Sequence, residues 1–165
     1  MSEALLAASM RRTLERQRAA QLADGIPDWG TRIDRLERLA ALLKENEKAL
    51  CESLQADFGQ RSIANAAMTE IAFPVAGIKY AMKHLRAWMK DESRRVALLP
   101  RLLGARARVR YQPLGVVGVI APWNFPVNLT VAPLTDILAA GNRAMVKPSE
   151  FTPRNSALLA ELIAH

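Results

Sequence analysis

Apolar positions along the first ninety residues recur at helical intervals. "SEALLAASMRRTLERQRAAQLADG" is built almost wholly of helix-forming residues, and Gly25 followed by Pro27 supplies a stop. In "TRIDRLERLAALLKENEKALCESLQADFG", Ile33, Leu36, Ala40, Leu43, Leu50 and Leu54 fall at steps of three, four and seven. That spacing predicts one long amphipathic helix ended by Gly59. A third helical region runs from about Ser62 to Lys90. It should bend or break within "FPVAG", because Pro74 cannot donate to the preceding turn.

The period then changes. In "ARARVRYQ", Ala105, Ala107, Val109 and Tyr111 alternate with Arg106, Arg108 and Arg110, which predicts a strand with an apolar and a guanidinium face. "PLG" gives a turn, and "VVGVI" is a continuous apolar run of the kind found in a strand covered on both faces. "NLTVAPLTDILAAGN" has helical spacing at Leu129, Leu134, Ile137 and Leu138 and closes on Gly141, placed for a left-handed cap. "RAMVKPSE" supplies a second short strand, and "TPRNSALLAELIAH" another helix starting near Pro153 or Ser156. Strand, helix, strand, helix is the order of a parallel sheet with crossover helices. The predicted class is α/β: amino-terminal helices and a strand segment over residues 1–110, then two parallel strands with helices over 111–165, opening a Rossmann-like dinucleotide-binding domain.

Composition narrows the function. Half of the 165 residues are hydrophobic and 24% charged, as in a globular protein. No apolar run approaches the ~20 residues of a membrane span, and no secretory leader is recognisable, so the cytoplasm is the expected compartment. One cysteine, Cys51, excludes an internal disulfide and reads as a packing residue beside Leu50 and Leu54. No Cys, His and carboxylate cluster has metal-ligand spacing. The net charge of +7 owes most to Arg94, Arg95, Arg101, Arg106, Arg108 and Arg110, a stretch without an acid. Tyr111 is the only aromatic residue in that strand, which disfavours nucleic-acid binding. A solvated face, or one that meets acids from elsewhere, fits better.

Two segments carry candidate chemistry. "APWNFP" leaves the first parallel strand and "KPSE" leaves the second; strands of one parallel sheet end on one edge, where ligands of such folds bind. Asn124 offers an amide donor suited to an oxyanion developing at a carbonyl, and Lys147 with Glu150 could grip vicinal hydroxyls. Taken alone, Asn124 could equally cap its own loop, Lys147 and Glu150 could be a solvated pair, and Trp123 could be core. His84 reads as a surface histidine.

"GVVGVIAPWNFPVNLTVAPLTDILAAGN" followed by "KPSEFTPR", with "YQPLG" before it, resembles the aldehyde dehydrogenase superfamily, in its class 3 and coniferyl aldehyde dehydrogenase branch. The resemblance covers nearly the whole chain. It implies oxidation of an aldehyde to an acid with NAD or NADP, a homo-oligomeric (dimeric) full-length enzyme, and strands near the arginine stretch at the oligomer contact. By matched motif, Asn124 would be the oxyanion donor, Lys147 and Glu150 would hold the adenosine ribose, and Trp123 and Ser149 would line the cofactor cleft. The family's nucleophilic cysteine, general-base glutamate and Gly-rich turn match nothing up to His165. The chain therefore reads as the amino-terminal portion of an incomplete fold, inactive alone, or else as a non-catalytic module that pairs with a full-length relative.

Overall fold

The computed structural model describes residues 3–164 and opens with the expected helix, α1 (Glu3–Asp24), which stops at Gly25. Ser2 and His165, placed by the sequence in the first and last helices, lie outside the described residues. Helix α1 buries no side chain and lies along the sheet, where Gln17 Nε2 donates to the Ala144 carbonyl at 3.1 Å and Asp24 pairs with Arg143 at 2.5 Å.

The single long helix expected next is two: α2 (Trp29–Glu45), capped by the Asp28 carboxylate on the Thr31 N–H at 2.8 Å, and α3 (Glu47–Phe58). Asn46 separates them at φ −111°, ψ 15°, and its Nδ2 donates to the Leu42 carbonyl at 2.9 Å. A short amide that bonds the preceding turn competes with the helix's own ladder, and apolar periodicity is blind to that. The stripe survives the break, since Leu36, Ala40, Leu43, Leu50 and Leu54 are all buried. In the third helical region, α4 (Ile63–Ala66) passes into a π-helical turn, Ala67–Ala72, before α5 (Phe73–Trp88). The interruption predicted at Pro74 thus falls just ahead of it, where a wide turn leads into a residue without an N–H.

The arginine strand is much shorter than its alternation suggests. Strand β1 (Glu92–Arg94), which the sequence reading missed, pairs antiparallel with β2 (Ala107–Val109), and α6 (Leu98–Leu102) lies between them. Two alanines and a valine offer too little apolar area to bury a face; Ala107 is exposed and Val109 half-buried. The arginines meet acids of the chain's own β1 segment: Arg110 makes two bonds of 2.9 Å to Asp91, Arg108 lies 3.5 Å from it, and Arg94 pairs with Glu92 at 2.6 Å. Arg110 first, then Arg108, hold the Asp91 carboxyl below its ordinary range.

Strands β3 (Val116–Ile120) and β4 (Arg143–Lys147) pair in parallel, in register from Val116 with Arg143 to Ile120 with Lys147. Crossover helix α7 (Asn128–Ala139) joins them and α8 (Pro153–Ala164) follows. Full cover of β3, expected from its unbroken apolar run, is not found: Val119 is buried but Ile120 is 82% exposed, because no described element lies over it. One hydrophobic cluster joins the helical lead to the sheet's helices, from Leu36 and Leu43 through Ile78 and Leu85 to Val131, Leu134 and Leu159. The lead is thus the bed on which both α7 and α8 rest.

The bed also holds α7 at its carboxyl end. Arg32, 6% exposed, donates to the Ala139 carbonyl at 3.0 Å and to the Pro27 carbonyl at 3.0 Å, a cation against the negative pole of the helix. Gly141 closes α7 at φ 82°, and a Cβ there would lie 2.9 Å from the Arg32 guanidinium. Both the backbone region and the fixed guanidinium oppose a side chain. Gly141→Ala is expected to cost about 1–3 kcal/mol in urea unfolding; an unchanged midpoint would remove Arg32 as a fixed cap.

Candidate functional site

The two loops that the sequence singles out leave the same edge of the sheet. The Ala121 N–H donates to the Lys147 carbonyl at 3.0 Å, which extends the parallel ladder one step beyond Ile120 and sets residues 121–127 beside residues 148–152. Two prolines in the first loop, Pro122 and Pro126, prevent it from continuing the strand.

Along this rim Asn124 is exposed, and among the described residues its side-chain amide has no hydrogen-bond partner; only its backbone carbonyl is engaged, by Arg61 Nη1 at 3.2 Å. The amide is therefore not a loop cap. Trp123 is 52% exposed, with its ring 6.3 Å from that of Phe58, so it belongs to the rim and not to the core. On the second loop Lys147 Nζ lies 2.5 Å from Glu150 Oε2 and 3.2 Å from the Pro148 carbonyl, and both charged side chains are more than half exposed. Hydrogen bonding from Lys147 holds the Glu150 carboxyl below its ordinary range. Ser149 is buried; its Oγ accepts the Phe151 N–H at 3.2 Å and its carbonyl accepts from Ser156 Oγ at 2.9 Å. Its hydroxyl shapes the turn.

Three further residues build the site and were not found from sequence. Glu70, in the π turn and 0% exposed, accepts the N–H groups of Val127 at 3.1 Å and Asn128 at 2.8 Å, the entrance to α7. Arg61 Nη2 lies 2.5 Å from the other Glu70 oxygen. Asp57, at the end of α3, accepts the N–H groups of Arg154 at 3.2 Å and Asn155 at 2.9 Å, the entrance to α8. Burial pushes the Glu70 carboxyl up, while the Asn128 N–H and Arg61 pull it back without cancelling the rise. A signal for Glu70 existed: Ala66, Glu70, Pro74 and Ile78 recur at steps of four, which puts an acid on an otherwise apolar face.

The chemistry of this rim suits one end of a dinucleotide. An ammonium beside a carboxylate, both reachable, can exchange their mutual contact for bonds to two neighbouring hydroxyls of a ribose. The pyrophosphate end finds no such fit in the helix entrances, because Glu70 and Asp57 already occupy the N–H groups that anions commonly take. Among the described residues no group of three or more His, Cys, Asp and Glu could hold a metal ion, and no helix is long and apolar enough to cross a membrane.

Cys51 is 1% exposed on α3 within the hydrophobic cluster, and burial pushes its thiol up. A thiol that is both covered and protonated reacts slowly. Disulfide reagents are expected to titrate Cys51 only as the chain unfolds; stoichiometric labelling of the native protein within seconds would contradict its placement.

A family model described as the aldehyde dehydrogenase family matches residues 7–165. The coniferyl aldehyde dehydrogenase of Pseudomonas sp. (strain HR199 / DSM 7063) is 51% identical over 151 residues, which are 92% of this chain and 31% of that protein. A probable coniferyl aldehyde dehydrogenase of Caulobacter vibrioides is 48% identical, over 95% of this chain and 33% of its own length. Among solved structures, the substrate-bound state of Staphylococcus aureus AldH superposes with a TM-score of 0.87 at 30% identity, covering 94% of this chain and 33% of that one. The chain thus spans about a third of the length of these relatives. With a family match over nearly all its residues and the parallel pair that sets both loops on one rim, the chain belongs to the aldehyde dehydrogenase family.

Proposed function

We propose that this chain is the amino-terminal portion of an NAD(P)-dependent aldehyde dehydrogenase that converts aldehydes, coniferyl or other aromatic or aliphatic ones, to carboxylic acids. The observation that carries the reading is the unpartnered Asn124 amide on the rim that also bears Lys147 and Glu150. In this reading Asn124 donates to the oxyanion formed when a thiolate attacks the aldehyde carbonyl. Lys147 and Glu150 hold the adenosine ribose of NAD or NADP. Trp123 and Ser149 line the cofactor cleft, Ser149 from the turn that its hydroxyl holds. The bound cofactor supplies a hydride acceptor. Residues 1–110 act as the supporting bed and 111–165 as the opening of the cofactor domain, in a dimeric cytoplasmic enzyme.

The burial of Cys51, the one cysteine of the sequence, in that bed supports a reading in which the attacking thiolate is not its own. The purified 165-residue chain is accordingly expected to reduce no NAD⁺ with any aldehyde. The test of the reading is a fusion in which this chain replaces the matching third of the Pseudomonas coniferyl aldehyde dehydrogenase. Oxidation of coniferyl aldehyde coupled to NAD(P)⁺ reduction supports it, and a folded fusion without turnover contradicts it.

A second reading, a non-catalytic module pairing with a full-length relative, is favoured by the exposed Leu114, Ile120 and Phe151, at 91%, 82% and 70%. Co-purification of this chain with such a relative, together with an inactive fusion, would select it.

A further inference from the structure

The geometry points to Arg61 and Glu70 as a positioning pair for Asn124, and the inference rests on the donor role proposed for that amide. An oxyanion donor must be aimed to within about half an ångström, and a displacement of about 1 Å can cost ~10²-fold in rate. Nothing inside the loop aims Asn124. Its side chain has no partner among the described residues, and the flanking Pro122 and Pro126 have no N–H to contribute.

The aim comes from the helical bed. Arg61 Nη1 donates to the Asn124 carbonyl at 3.2 Å, and Glu70 accepts the N–H groups of Val127 and Asn128 at 3.1 and 2.8 Å. Asn128 Nδ2 adds a bond to the Thr69 carbonyl at 2.8 Å. The peptide of Asn124 is therefore held by a guanidinium, and the chain just beyond it by a carboxylate, with the π turn behind both. The guanidinium is itself fixed: Nη2 lies 2.5 Å from Glu70, its carbon lies 5.0 Å from the Phe58 ring centre and 5.2 Å from that of Phe125, and the side chain is 12% exposed. A planar fork can bond Glu70 and Asn124 at once; a lysine ammonium at the same position can reach Glu70 without keeping the second bond in place. One Glu70 oxygen accepts both backbone N–H groups, and the other meets Arg61 as an ion pair.

Two measurements test the pair. In the full chain labelled with ¹⁵N-asparagine, the Asn124 signals are identified by their loss in Asn124→Ala. Arg61→Met is expected to shift or broaden the Asn124 backbone and side-chain signals while those of Asn46, on the far side of α3, stay in place. Arg61→Lys should restore them in part. Asn124 signals that coincide in the wild type and Arg61→Met overturn the pair. In the fused enzyme, Arg61→Met is expected to slow acylation per active site by ~10- to 10²-fold at an unchanged burst amplitude and an unchanged KM for NAD(P)⁺, with Arg61→Lys intermediate. A reduced burst amplitude at an unchanged rate would mean only lost folding and overturns the positioning role. If the fusion with Arg61 intact oxidises no aldehyde, the donor role of Asn124 fails, and the amide signals still decide whether Arg61 orders that loop.

Discussion

In the fused enzyme, Asn124→Ala is expected to slow acylation by roughly 10²- to 10³-fold, the usual consequence of removing one preorganised oxyanion donor. The size of the effect follows from how the amide is kept. Its side chain makes no internal bond that binding would have to break, and its peptide is already clamped by Arg61, so little reorganisation opposes donation at the moment of attack. If Asn124 is that donor, it acts on charge that develops only in the transition state, so kcat for the acylation step should fall while the KM for the cofactor stays. Asn124→Asp should be at least as damaging, because a carboxylate opposes the oxyanion. Unchanged acylation in Asn124→Ala would take the residue out of the chemistry.

Glu70→Ala is expected to cost the folded chain about 3–5 kcal/mol, the range found when one partner of a buried ion pair is removed. The carboxylate is fully buried and serves three donors, the N–H groups of Val127 and Asn128 and the Arg61 guanidinium, all left unmatched by alanine. Replacing both charges, as in Arg61→Met with Glu70→Leu, should not recover the loss. Replacement of a buried pair by apolar groups is often tolerated, but here two backbone N–H groups would remain without an acceptor. Glu70→Gln keeps one acceptor and should fall between the wild type and alanine. Urea unfolding checks the series, and a loss below about 1 kcal/mol for Glu70→Ala would mean that the entrance to α7 is not held as described.

The elements that position the rim were largely legible in the sequence, for a physical reason. Strands β3 and β4 and helix α7 follow one another with short connections, and such a unit admits few arrangements other than a parallel pair with a crossover. The placement of APWNFP and KPSE on one edge follows from that topology, and the Ala121 to Lys147 bond bears it out. What the periodicity hid were contacts between segments far apart in the chain. Glu70 meets Val127 and Asn128, and Asp57 meets Asn155, across intervals that no local pattern encodes. Strand β1 was missed because three polar residues have no apolar alternation to detect, and they pair only through β2. Asn46 breaks a helix whose apolar stripe continues across the break, so the stripe alone could not reveal it.

A crystal structure of the fused enzyme with NAD⁺ or NADP⁺ bound decides whether one rim presents the Asn124 amide together with the Lys147 and Glu150 charges. The expected result has the adenosine ribose hydroxyls within about 3.2 Å of Lys147 Nζ and a Glu150 carboxylate oxygen, with the Asn124 amide turned into the same crevice. A cofactor whose ribose lies away from the 148–152 loop, or an Asn124 amide folded back onto Arg61 and Glu70, would contradict it.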